Sequence, residues 1–319
     1  MKHLIQKHKN KLFALTPLIL IVLISAGAFY ILGLSQYRGN QIVKKTQNEL
    51  LAQGVFENLN LDAKSYAVYD DSQKKIISSK NLQSQLPLAS LTKIMASLVA
   101  LDLAPRDYTI DIPKDNEKNF FDKTRVTPGK WRLDDLLRFT LVSSSNSGIN
   151  VIATSLLSHV LIPPGINHFT ELMNNKAKNL RLNQTFFLNE SGLDINKSLS
   201  GGYGSAKDMV TLFDTALSTA PDIFGWTKFN SIVINSQAGI PEQAINTNPS
   251  VSRIDGLIAS KTGLTDLAGG NLIIAFDMEK SIRVIVVVLG SSQDGRFKDT
   301  QKLIDATINY YKILKQIPL

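Results

Sequence analysis

The 319 residues carry 44% hydrophobic side chains and no cysteine, enough apolar mass for one large or two small cores but no material for a disulfide framework or a thiolate metal site. The formal charge of +8 is partly local, because Lys2, Lys7, Lys9 and Lys11 stand in a start without acidic residues, and beyond it 31 basic residues face 27 acidic ones. So small a surplus, with no basic stripe interleaved with aromatics, argues against a nucleic-acid partner.

Behind the lysine-rich start an apolar run extends from Leu12 to Leu34, interrupted only by Thr16, Pro17, Ser25 and glycines. It reads as an export element with two outcomes. Ala26-Gly27-Ala28 fits a small-residue cleavage site, which makes the run a signal peptide and the protein secreted. Phe29-Tyr30-Ile31-Leu32 lengthens it to what spans a bilayer, which makes it a single-pass anchor. Either way the lysines stay cytoplasmic and everything after residue 35 lies outside the membrane. The expected organisation is a stub and transmembrane segment over residues 1–34, a polar stalk over 35–61 with a helical stretch near 42–51, and one folded domain over 62–319.

That domain opens with strands over residues 64–69 and 75–79, joined by the turn Asp70-Asp71-Ser72-Gln73. Pro87 leads into a helix starting at Ser90, where Leu91, Ile94, Met95, Leu98 and Val99 recur at helical spacing with no Gly or Pro before Pro105. Helices follow over 133–142, 148–160, 167–180 and 206–219, the last opened by Ser205 as N-cap with Asp208 three residues on. Strands return over 256–262, 270–277 and 282–289, and an amphipathic helix runs from 297 to about 314. The predicted class is α+β: an antiparallel sheet built from both chain ends, flanked by helices, with a mostly helical subdomain inserted.

Three short signatures lie in order on these elements: Ser90-Leu91-Thr92-Lys93, Ser144-Ser145-Asn146 and Lys261-Thr262-Gly263. Each is weak alone, since Ser72-Gln73-Lys74-Lys75 and Ser79-Lys80-Asn81 fit the first two patterns as well. Context separates the copies. Ser72 lies in a polar turn, whereas on a helix positions three apart share a face, so Lys93 carries its amine to the Ser90 hydroxyl. A hydroxyl beside an amine, with a cationic strand end opposite, suits covalent acyl transfer. Among the four histidines, His3 and His8 belong to the stub. His159 and His168 flank a Pro-Pro-Gly loop with neither an H-E-x-x-H pattern nor a G-x-S-x-G elbow for a Ser-His-Asp triad. No metal or cofactor is called for.

Over roughly residues 62–316 the chain resembles the serine D-Ala-D-Ala carboxypeptidases, the low-molecular-mass penicillin-binding proteins. Besides the three signatures, the likeness rests on Pro87-Leu88-Ala89, Gly192-Leu193-Asp194, Tyr203-Gly204-Ser205-Ala206, Asn246-Thr247-Asn248, Thr265-Asp266, Ala268-Gly269, and a closing helix preceded by Arg296. It implies a β-lactamase/transpeptidase-like fold, an extracytoplasmic position on a bacterial cell membrane, and removal of the terminal D-Ala from peptidoglycan stem peptides, with β-lactams as covalent inhibitors. It further implies Ser90 as nucleophile and Lys93 as its base, whose neutral form near pH 7 costs about 4 kcal/mol relative to a solvated lysine.

By the same resemblance Ser144 and Asn146 relay protons and hold the substrate amide. Lys261 and Thr262 meet the terminal carboxylate, Gly263 leaves room for the substrate backbone, and Arg296 is a second carboxylate contact. The backbone N–H groups of Ser90 and Leu264 form the oxyanion hole. Ser191 stands where the family often has His, Ser147 where it often has Asp, and Leu264 where it usually has an aromatic residue or His; residues 257–260 lengthen the approach to Lys261. These departures bear on substrate preference. Three other readings stay open: a D,D-endopeptidase of cross-links, a penicillin-binding sensor or wall-binding domain that does not turn over, and a class A β-lactamase. The last needs a water-activating glutamate, and Glu190 lacks the following Leu-Asn context.

Overall fold

The computed structural model describes residues 2–113, 126–159, 168–278 and 282–315, with side chains described from residue 23 onward except at 40–42, 44, 45 and 159. The chain divides into two compact units, residues 1–55 with 309–319, and residues 56–308. The first unit contains α1 (Lys2–Gly54), one continuous helix. The stretch expected to be a polar stalk therefore continues the helix as far as Gly54, because residues 40–53 are mostly good helix formers without a proline. Among the described residues no helix is long and apolar enough to cross a membrane. Residues 12–22 of the apolar run lie outside the described side chains.

The second unit begins with β1 (Ser65–Asp70), β2 (Lys75–Lys80), β3 (Leu86–Pro87) and α2 (Thr92–Leu103). A hairpin of β4 (Thr109–Ile112) and β5 (Gly129–Arg132) precedes α3 (Leu133–Ser143), α4 (Asn146–His159) and α5 (Phe169–Asn179). Then come β6 (Phe186–Phe187), β7 (Gly202–Gly204), α6 (Ala206–Thr219), α7 (Pro221–Phe224) and a second hairpin, β8 (Ser231–Asn235) with β9 (Pro241–Ile245). The chain closes with β10 (Leu257–Thr265), β11 (Gly269–Asp277), β12 (Arg283–Ser291) and α8 (Gly295–Lys315).

The main sheet has the order β10-β11-β12-β1-β2, every neighbour antiparallel, so the two ends of the domain do build one sheet. The apolar runs of β11 and β12 are buried on both faces, which is why they read as continuous rather than alternating. At the sheet's edge β10 keeps one side unpaired within the sheet. Among the helices, α2 is buried from Thr92 through Ala100. A helix apolar on all sides belongs inside a core, and Lys93 is carried in with it, 0% exposed.

Ser205 caps α6 as expected, its hydroxyl accepting from the Asp208 N–H at 3.1 Å. Neither hairpin, nor the small sheet β3-β7-β6, was anticipated. Their strands are two to five residues long, and β9 reads Pro-Glu-Gln-Ala-Ile, whose proline and charge hide its strand character.

Candidate active site

The chain reaches Ser90 through a tight corner. Leu88 N–H donates to the Gly202 carbonyl, Ala89 adopts a left-handed φ of 48°, and a single 3-10 turn (Ala89–Leu91) precedes α2. The helix thus starts at Thr92, two residues later than the periodicity suggested. Gly192 makes the corner possible: its φ is +82°, and a Cβ there would sit 1.8 Å from the Ala89 carbonyl oxygen.

The three-residue spacing survives the shift, and Lys93 Nζ lies 2.8 Å from Ser90 Oγ. Two more acceptors lie within hydrogen-bond distance, Asn146 Oδ1 at 2.7 Å and the Ser191 carbonyl at 2.8 Å. An amine in its neutral form has two N–H bonds and one lone pair. Giving the N–H bonds to Asn146 and Ser191 leaves the lone pair for the Ser90 proton.

Between α3 and α4 stands Ser144 with φ 58° and ψ 33°, a left-handed C-cap whose N–H still bonds the Thr140 carbonyl. A non-glycine residue in this region is a local strain. The kink lets two residues of one signature face different lysines. Asn146 meets Lys93, while Ser144 Oγ accepts from Lys261 Nζ at 2.7 Å. Lys261 also donates to the Thr262 carbonyl at 2.9 Å. Burial first, and then the charges of Lys93 and Arg296, hold the Lys261 amine well below the usual lysine range.

Thr262 Oγ1 lies 2.5 Å from Thr247 Oγ1. Asn246 holds that neighbour in place by donating to the Thr227 and Phe229 carbonyls. Gly263 packs closely against the nucleophile corner: a Cβ there would lie 2.8 Å from the Leu88 carbonyl oxygen. Arg296, buried and stacked on Phe297, donates to the Gly263 carbonyl at 2.6 Å. Its guanidinium therefore holds the strand through one of its five N–H donors. Leu264 is 43% exposed beyond the signature. Asp194 ties the 189–194 turn to the end of β10, accepting from Thr265 Oγ1 and Leu267 N–H.

Ser90, Lys93, Ser144, Asn146 and Lys261 are thus linked by side-chain bonds in two groups, the trio Ser90–Lys93–Asn146 and the pair Ser144–Lys261. Sequence reasoning missed the Ser191 carbonyl, a main-chain contact that carries no side-chain signal. His168 is exposed before α5, where its carbonyl caps Glu171. The His159 side chain lies outside the described residues. Glu190 accepts from Asn150 Nδ2 at 2.9 Å.

The family model described as D-alanyl-D-alanine carboxypeptidase, peptidase S11, matches residues 52–293. The D-alanyl-D-alanine carboxypeptidase DacC of Escherichia coli K12 is 26% identical over 83% of this chain and 66% of its own length. The D-alanyl-D-alanine endopeptidase of the same organism is 29% identical over 75% of each. Penicillin-binding protein D2 of Listeria monocytogenes, solved with ampicillin bound, superposes with a TM-score of 0.64 at 29% identity, covering 78% of this chain and 98% of that one. This chain spans about two thirds of the length of the curated carboxypeptidases it matches. It belongs to the peptidase S11 family of D-alanyl-D-alanine carboxypeptidases.

Proposed function

We propose that this chain is a serine-type carboxypeptidase that removes the terminal D-Ala from peptidoglycan stem peptides through an acyl-enzyme on Ser90. The observation that carries the reading is the Lys93 amine, 2.8 Å from Ser90 Oγ, with Asn146 Oδ1 and the Ser191 carbonyl available for its two N–H bonds. Ser90 Oγ attacks the carbonyl of the penultimate D-Ala while its proton passes to Lys93. The peptide C–N bond then breaks, and the leaving amine takes that proton from Lys93 by way of Ser144, which returns Lys93 to its neutral form. Water hydrolyses the ester and restores the hydroxyl.

The substrate carboxylate meets Lys261 and the Thr262 hydroxyl, with Arg296 adding charge from behind Gly263. An arriving carboxylate favours the charged form of Lys261, which leaves Lys93 the amine of the pair better suited to remain neutral. The backbone N–H groups of Ser90 and Leu264 receive the oxyanion. Among family relatives, the Listeria protein was solved with ampicillin bound; by analogy, β-lactams acylate Ser90 here.

The catalytic domain is held on the outer side of a bacterial cell membrane by the N-terminal helix. Its support is the lysine-rich start followed by a helix on which Ile24, Phe29, Ile31 and Leu32 are each more than 60% exposed, an apolar surface suited to lipid. The family match also includes a D-alanyl-D-alanine endopeptidase of similar identity, which supports a second reading in which the same residues cut cross-links. Full-length protein in detergent, given a peptide ending in D-Ala-D-Ala and a cross-linked dimer in parallel, separates the two. Release of D-alanine at catalytic turnover from the monomer supports the carboxypeptidase. Cleavage of the dimer alone supports the endopeptidase, and activity retained in Ser90→Ala overturns both.

A further inference from the structure

The two proposed oxyanion donors belong to different elements, Ser90 to the corner before α2 and Leu264 to the edge strand β10, so something must fix the gap between them. We propose that Asn271 does this, as a positioning residue for the oxyanion hole. The inference rests on the acyl-enzyme reading above.

Asn271 is fully buried on β11, directly opposite Gly263 in the β10–β11 register. Its surroundings are set by an irregularity in the next strand pair. Between Gly270↔Ser291 and Leu272↔Val288 the ladder has one residue on β11 and two on β12, a bulge at which Gly290 takes a φ of +66°. The Gly290 N–H donates to Asn271 Oδ1 at 2.8 Å. That contact fixes which way the amide faces, and its Nδ2 donates to the Pro87 carbonyl at 2.9 Å.

One side chain therefore joins the centre of the sheet to the segment that ends in Ser90, three residues after Pro87. Gly263 completes the spacing from the β10 side. With no Cβ it lets β10 approach the Leu88 carbonyl, and a Cβ would lie 3.3 Å from that of Asn271. On this arrangement a change at Asn271 alters how far the Ser90 N–H stands from the Leu264 N–H, while Ser90, Lys93 and Asn146 keep their own contacts.

Asn271→Asp is the discriminating variant. Its carboxylate retains an acceptor for Gly290 but loses the donor to Pro87 and sets two oxygens against each other. Asn271→Ala serves as the second. Acylation by a chromogenic cephalosporin is measured per penicillin-titratable site, together with the infrared carbonyl band of the acyl-enzyme. The expected result is acylation slowed roughly ten- to a hundred-fold, little change in the prior non-covalent affinity, and an ester carbonyl band moved to higher frequency as its hydrogen bonds lengthen. A folded variant with wild-type acylation and an unmoved band would overturn the proposal. Loss of fold in both variants would make Asn271 a residue of the fold alone and overturn it equally. Absence of an acyl-enzyme in the unaltered protein would instead remove the Ser90 mechanism itself.

Discussion

Lys93 and Lys261 are almost equally buried, and each is bonded to a serine hydroxyl, yet the elements that carry them differ in kind. Lys93 meets Ser90 across three residues of one helix start, a distance set by local geometry. Lys261 stands on an edge strand and meets Ser144, which lies 117 residues earlier in the chain and is held by a left-handed kink between two helices. The proposed nucleophile and its base therefore meet within one segment, with Asn146 and the Ser191 carbonyl brought to the amine from elsewhere, whereas the proposed recognition of the carboxylate exists only once the strand and the helical block have come together. The two halves also differ in their neighbours. Lys93 has an amide oxygen and a carbonyl to take its N–H bonds, while Lys261, disfavoured as a cation by burial first, has the Lys93 amine and the Arg296 guanidinium as neighbours and would be favoured as a cation by the proposed carboxylate.

If the division is right, substitutions in the two halves separate in their kinetics. The largest expected effect is that of Ser90→Ala, which removes the attacking atom and abolishes both the labelled penicillin adduct and D-alanine release. Lys93→Met comes next, with kcat lowered about 10²–10⁴-fold and KM little changed, the range for loss of a general base. Lys261→Met is expected to act mainly on KM for a peptide with a free C-terminal carboxylate, and to lose most of that effect when the carboxylate is amidated. Equal losses of kcat in both lysine variants would dissolve the comparison. The pH profile tests the shared step. As pH falls the proposed base Lys93 takes up a proton, so acylation by penicillin is expected to slow toward acid, and a rise toward acid would indicate a different base.

The same contrast explains what the sequence disclosed. Ser90 and Lys93 were legible as a pair because helical spacing is a one-dimensional signal, and β11 and β12 were legible as strands, though not their burial on both faces. Ser144 and Lys261 could be placed only by the order of signatures, since no periodicity reports a contact across 117 residues. The Ser191 carbonyl and the bulge at Gly290 left no pattern, being main-chain features. Arg296 was identifiable as a cation near the strand end, but its direction was not. Nothing in Gly-Arg-Phe says that the guanidinium turns toward the Gly263 carbonyl.

The smallest expected effect lies in stability and tests the strand half by itself. Folded Lys261 gives up its proton well below the unfolded lysine value of about 10.4, because burial and then the Lys93 and Arg296 charges disfavour the ammonium. Between those two values the unfolded chain binds more protons than the folded one, so stability rises with pH up to the unfolded value. At neutral pH, correspondingly, the buried amine destabilises the fold. Lys261→Met removes the titrating group from a buried site, at the expense of the bonds to Ser144 Oγ and the Thr262 carbonyl. Desolvation of an ion outweighs two neutral hydrogen bonds, so the variant is expected to melt higher at neutral pH, by about 2–4 °C for each kcal/mol recovered. Its melting temperature should also climb less than that of the unaltered protein between pH 8.5 and 10. Melting curves at those two pH values decide the matter: parallel slopes for the two proteins would mean that Lys261 keeps its proton in the folded state and that the strand half is a fixed cation.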